Sequence, residues 1–125
     1  MKIKLGSLIE AKAVIDSLLD KEHHNTVLAY RIAKFSLSIQ NDCDAYMAAT
    51  QSAIKKYGIL NEDGTIRIPN ENMKELNEEM NKLKNTELDA PNIKFSLSEI
   101  SKEFNLSIRQ MMSIMDFVED DIEKH

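Results

Sequence analysis

The chain has 125 residues, a formal net charge of -5 and a single cysteine, Cys43. That acidic balance argues against general nucleic-acid binding, which needs a surplus of Lys and Arg to neutralise phosphates, and one cysteine excludes an internal disulfide. No apolar run approaches the roughly 20 residues that cross a bilayer, and Met1-Lys2-Ile3-Lys4-Leu5 lacks the apolar core of a signal peptide, so the expectation is one soluble intracellular domain with protein partners.

Lys2-Ile3-Lys4-Leu5 alternates polar and apolar side chains, which predicts a half-buried strand. Gly6 ends it, and Ser7 with Glu10 has capping-box spacing. A helix is expected from there to about Asp20, with Leu8, Ala11, Ile15 and Leu18 on one face and Val14 beside them. Lys21-Glu22-His23-His24-Asn25 reads as a polar connection. One long helix should follow, from Asn25 or Thr26 to Tyr57, on the order of 50 Å in length. Its stripe is Leu28, Ile32, Phe35, Ile39, then Tyr46, Ala49 and Ala53. Asp42 interrupts the pattern, with Cys43 one place over. Ala45, Ala48, Ala49 and Ala53 make the distal half small enough for a partner helix to approach closely. Gly58 is expected to stop the helix in a left-handed cap, and Lys55 and Lys56 suit the negative end of its dipole.

Asp63-Gly64 is a hairpin signal of the type I′ kind, with Ile59-Leu60 and Ile66-Arg67-Ile68 as strands. Pro69 opens the next helix, capped by Asn70 or by Asn72 with Glu75, and running to about Asn85. Its stripe of Met73, Leu76, Met80 and Leu83 is expected to face the first. After Pro91, Ile93-Lys94-Phe95 echoes Ile3-Lys4-Leu5, and pairing of the two would bring the chain ends together. A short helix from Leu97 to Phe104 and a final one from Ser107, boxed with Gln110, to about Glu123 complete the chain. The expected fold is α+β and helix-dominated: a long antiparallel helical hairpin (about Asn25–Tyr57 with Asn70–Asn85), a β-hairpin at its tip and a small terminal β-pairing.

No catalytic, cofactor-binding or metal constellation stands out, and the expectation is a protein that is not an enzyme. His23 and His24 are neighbours, about 100° apart on a helix, and a zinc site would also want thiolates. Asn61-Glu62-Asp63-Gly64 lacks the twelve-residue calcium loop and reads as a turn. The pairs Glu78-Glu79 and Asp120-Asp121 read as solvated faces and not as an acid/base pair. Cys43 has no histidine nearby in sequence to activate it. The stretch Leu97 to Met115 resembles a helix-turn-helix, with Ile100, Phe104, Leu106, Met111 and Ile114 at its apolar positions and Asn105 in place of the turn glycine. Its second helix offers Arg109, Gln110 and Ser113 to DNA, but then Asp116, Glu119, Asp120 and Asp121, which repel phosphates. A small helix-turn-helix regulator is therefore the alternative reading. An acidic mimic of DNA built on that carboxylate run and Glu123 is another. Seven methionines are present. Met73, Met80, Met111, Met112 and Met115 fall on expected helical faces and form the candidate partner surface, because methionine adapts to irregular contacts.

Three stretches, Lys2-Ile3-Lys4-Leu5-Gly6-Ser7-Leu8, Ala29-Tyr30-Arg31-Ile32-Ala33-Lys34, and Lys56-Tyr57-Gly58 through Asp63-Gly64 to Ile68-Pro69-Asn70-Glu71-Asn72, resemble a family of small proteins encoded by phages and prophages of Gram-positive bacteria. The resemblance covers most of the chain, least clearly its C-terminal third. It implies a phage context and no site residues. The functional expectation is a non-enzymatic phage protein acting through protein–protein contacts. It would be a virion or assembly component or an inhibitor of a host protein, in the host cytoplasm or the virion, and a candidate homo-oligomer. A hairpin two helices thick cannot cover both of its faces.

Overall fold

The computed structural model describes residues 2–21 and 25–119. It shows a helix-dominated α+β fold in which three two-stranded sheets join six helices. The first strand, β1 (Lys2–Lys4), runs directly into α1 (Leu5–Leu19). The helix therefore starts before the expected Ser7 cap, and Gly6 and Ser7 lie within its first turn. The physical reason is the Leu5 N–H, which donates to the Thr86 carbonyl at 2.8 Å and anchors the junction from outside. The stripe Leu8, Ala11, Ile15 and Leu18 is fully buried, as its spacing predicts.

The partner of β1 is β4 (Glu87–Asp89), not the segment around Ile93. The pairing is antiparallel, with Lys2 opposite Asp89, Ile3 opposite Leu88 and Lys4 opposite Glu87. One face carries Ile3 and Leu88 into the core, and the other sets two cations against two carboxylates. Lys2 and Asp89 meet at 2.8 Å, and that contact raises the lysine and lowers the carboxyl from their ordinary values.

The expected long helix is interrupted. It forms α2 (Thr26–Ser38) and α3 (Gln40–Tyr57), separated at Ile39, whose φ of -111° and ψ of 7° lie outside helical geometry. Two serines explain the break. Ser38 Oγ donates to the Phe35 carbonyl at 2.7 Å, taking the acceptor that the Ile39 N–H would use in a continuous helix. Ser36, itself buried, donates to Asp16 Oδ1 at 2.6 Å, and Asp16 also pairs with Lys12. That cluster pins α2 to α1. Asn25 caps α2, its side chain accepting from the Leu28 N–H at 3.0 Å, so the helix begins at Thr26, one of the two expected starts.

The break splits the stripe between two destinations. Leu28, Ile32, Phe35 and Ile39 enter one core with α1, Cys43, Phe95, Ile100, Phe104, Ile114 and Phe117. Phe35 is its centre, edge-on to Phe117 with centroids 4.7 Å apart and tilted against Phe95 at 5.7 Å. Of the distal residues, Ala49 and Ala53 instead lie beside Met80 and Leu83 of α4 (Asn70–Lys84), while Tyr46 stands beside Ile9 and Ala13 of α1.

The C-terminal third closes that core. The strand β5 (Phe95–Ser96) pairs in parallel with β6 (Val118–Glu119). Between them lie α5 (Leu97–Glu103), α6 (Ile108–Ser113) and a 3-10 turn at Met115–Phe117. Ser96 caps α5 through the Glu99 N–H, and Ser107 with Gln110 forms the expected capping box. The final helix is six residues long, not the expected span to about Glu123, because the chain turns at Ile114 to bury Ile114 and Phe117. The apolar positions of the helix-turn-helix pattern are core positions: Ile100, Phe104 and Ile114 are buried, and Leu106 and Met111 pack against the same cluster. His23, His24, Asp120, Asp121, Glu123 and His125 lie outside the described residues.

Candidate protein-interaction surface

Beyond the core stands an arm made of α3, β2 (Ile59–Leu60), β3 (Ile66–Arg67) and α4. It keeps the expected helical hairpin at reduced length: α3 has 18 residues, so the arm is roughly 27 Å long and not the 50 Å of an unbroken helix. Pro69 occupies the position before α4, and Asn72 caps α3 instead of its own helix. Its Nδ2 donates to the Tyr57 carbonyl at 3.0 Å, satisfying an end group that α3 leaves open.

At the tip, Ile59 pairs with Arg67 and Leu60 with Ile66. The loop is three residues, closed by Asn61 N–H to Thr65 O at 2.8 Å and Gly64 N–H to Asn61 O at 3.1 Å. Gly64 alone among the described residues has positive φ, 88°. The expected type I′ turn, which needs positive φ at two central residues, is thus replaced by a longer loop. Asp63 stabilises it by accepting from the Thr65 N–H and hydroxyl, and those bonds hold its carboxyl below the ordinary range. Gly58, expected in a left-handed cap, is extended at φ -96°. Its lack of a side chain serves space: a Cβ there would lie 2.3 Å from Ile66 Cγ2 and 2.6 Å from the Ile54 carbonyl oxygen.

A polar clamp ties the two helices. Glu79 Oε1 accepts from Lys56 Nζ and from the Tyr57 hydroxyl, each at 2.8 Å. The two bonds lower the Glu79 carboxyl from its ordinary value, and the bond that each donor makes to Glu79 raises Lys56 and Tyr57 from theirs. Glu79's contribution to stability is therefore present above the ordinary carboxylate value and lost as pH falls through its depressed folded value. Tyr57→Phe removes one donor, so the Glu79 carboxyl midpoint should move up toward 4.5. A carbon-detected NMR titration reads this directly, and an unmoved midpoint would deny the tyrosine its role.

The arm is thinly packed. Its buried residues are few: Ala53, Leu76 and Pro69, with Cys43 at the base joining the main core. Exposed along it are Met47, Ile59, Leu60, Ile66 and Met73, with Leu60 at 71%. An open concavity of about 250 Å³ between the helices is lined by Ala49, Ala53, Met80 and Leu83 with the stems of Glu79 and Lys82.

The five candidate methionines do not make one patch. Met73 and Met80 lie on α4 with Leu76 and Leu83. Met111 is half-buried against the core. Met112 is exposed on α6, with Ile108 four residues earlier at 82%, and Met115 is exposed just beyond. The apolar tip, Ile59, Leu60 and Ile66, was not among the sequence candidates. Its signal was a strand pair with apolar side chains on both faces. Burial raises the Cys43 thiol, which keeps it protonated as a packing group. Among the described residues, no three His, Cys, Asp or Glu side chains cluster to hold a metal ion, and no helix is long and apolar enough to cross a membrane. No family model, curated protein or solved structure matches this chain.

Proposed function

We propose that this is a non-enzymatic phage or prophage protein that works by protein–protein association, with the arm as its docking element. The role is that of a virion or assembly component or of an inhibitor of a host protein, in the host cytoplasm or the virion. The observation that carries the docking role is the arm's imbalance: it buries Ala53, Leu76 and Pro69 and leaves Met47, Ile59, Leu60, Ile66 and Met73 in solvent. Apolar surface of that kind gains by being covered, at about 25 cal/mol per Å². The phage context rests on the resemblance of Lys2–Leu8, Ala29–Lys34 and Lys56–Asn72 described above.

The first partner is a second copy. Helix α4 carries Glu71, Glu75, Glu78 and Glu79 with one lysine, Lys74, in its earlier turns and Lys82 and Lys84 in its last, so its first part is net acidic and its end basic. Two arms docked antiparallel set the lysine end of one against the glutamate end of the other, the arrangement a two-fold interface repeats on both sides. Sedimentation velocity should show a species that grows with concentration. The double variant Leu60→Glu with Ile66→Lys replaces a cross-strand apolar pair by an opposite-charge pair, so it should leave the fold intact and yield monomer. A wild-type protein that stays strictly monomeric at micromolar concentration, and recovers no partner from infected cells, would reject the proposal.

A further inference from the structure

We propose that the outer face of α2 binds an acidic polypeptide segment carrying an apolar side chain. Leu28, Ile32 and Phe35 turn one face of α2 into the core, which sends Val27, Tyr30 and Lys34 outward at helical spacing. Val27 and Tyr30 are 63% and 65% exposed. Against this stripe the chain approaching β5 brings Ile93 and Lys94, and together they enclose a concavity of about 490 Å³.

Among the described residues its lining includes Arg31, Lys34 and Lys94 and no carboxylate, in a chain of formal charge -5. The three cations are weakly compensated. The Lys34 ammonium stands 5.9 Å from the Tyr30 ring centroid, a neutral partner. Lys94 Nζ donates to the Asp116 carbonyl, also neutral. Arg31 has Glu99 at 4.0 Å, the outer limit of an ion pair. A local positive field over an apolar floor of Val27, Tyr30 and Ile93 matches a short acidic segment with one apolar anchor. A long polyanion would extend past the patch and meet the repulsion of an acidic protein, a mismatch that disfavours nucleic acid. This face lies on α2 and shares no residue with the arm, so it stands or falls independently of self-association.

The test is fluorescence anisotropy at low salt with a labelled hexapeptide of five acidic residues and one leucine. Saturable binding is expected, weakening with added salt. The double variant Lys34→Glu with Lys94→Glu should lose affinity roughly tenfold or more, and Tyr30→Ala several-fold. Lys74→Glu, a charge change at an exposed site on α4, should leave binding unchanged. The proposal is overturned by absence of saturable binding to the wild-type protein, by an equal loss in Lys74→Glu, or by tighter binding of an oligo-dT strand than of the peptide.

Discussion

Replacing Phe35 by alanine is expected to destabilise the fold by about 3–5 kcal/mol, the range for a large buried aromatic. The ring is fully buried and touches the rings of both Phe95 and Phe117. Its removal withdraws transfer free energy, leaves a cavity that α1 and α2 cannot close without sliding, and deletes two aromatic contacts worth about 0.5–1.5 kcal/mol each. Because those rings belong to β5 and the 3-10 turn, the C-terminal segments should loosen from α2 first. Phe35→Leu keeps most of the volume and should cost less. Chemical denaturation decides the matter: a change below roughly 0.5 kcal/mol would place the ring in solvent, contrary to the packing described.

Gly58→Ala should cost about 1–3 kcal/mol, the usual range for forcing an extra carbon into a packed site. Backbone strain is not the cause, since alanine adopts extended φ freely. The cause is space: the new Cβ meets Ile66 Cγ2 at 2.3 Å and the Ile54 carbonyl oxygen at 2.6 Å. The isoleucine methyl can swing aside, but the carbonyl belongs to α3 and accepts the Gly58 N–H at 2.8 Å. Relief therefore requires the tip to pivot away from α3. Denaturation should report the loss, with amide shifts concentrated at residues 54–68. A fully stable variant with unmoved resonances would show that the junction is looser than described.

Much of the fold was legible because local patterns and tertiary packing agree. The buried face of α1, the start of α2 at Thr26, the Ser107–Gln110 box, the strands of the tip and the end of α4 near Asn85 follow from spacing and capping alone. The interruption at Ile39 was hidden because no proline or glycine marks it. It depends on the Ser38 hydroxyl capturing a carbonyl and on Ser36 reaching Asp16, twenty positions away. The irregularity at Asp42 and Cys43 was a trace of it, displaced by three residues. β4 escaped notice because three residues carry little periodicity, although Glu87-Leu88-Asp89 complements Lys2-Ile3-Lys4 in both apolar register and charge. The Ser7 and Asn72 caps failed for a related reason: distant groups, Thr86 for the first and Tyr57 for the second, supply what a local reading assigned to neighbours. On the candidate surface, the Met73 and Met80 face of α4 was visible as a stripe. The apolar tip was overlooked, although Ile59 and Leu60, being consecutive in a strand, put apolar side chains on both faces of the ribbon.

Whether the arm is covered by a second copy is measured most directly by hydrogen–deuterium exchange across a concentration series. With rising concentration, amides of residues 59–67 and of α4 should slow, while those in the buried face of α1 and the inner face of α2 keep their rates. Exchange that is independent of concentration throughout the arm, or slowing confined to α2, would contradict the account.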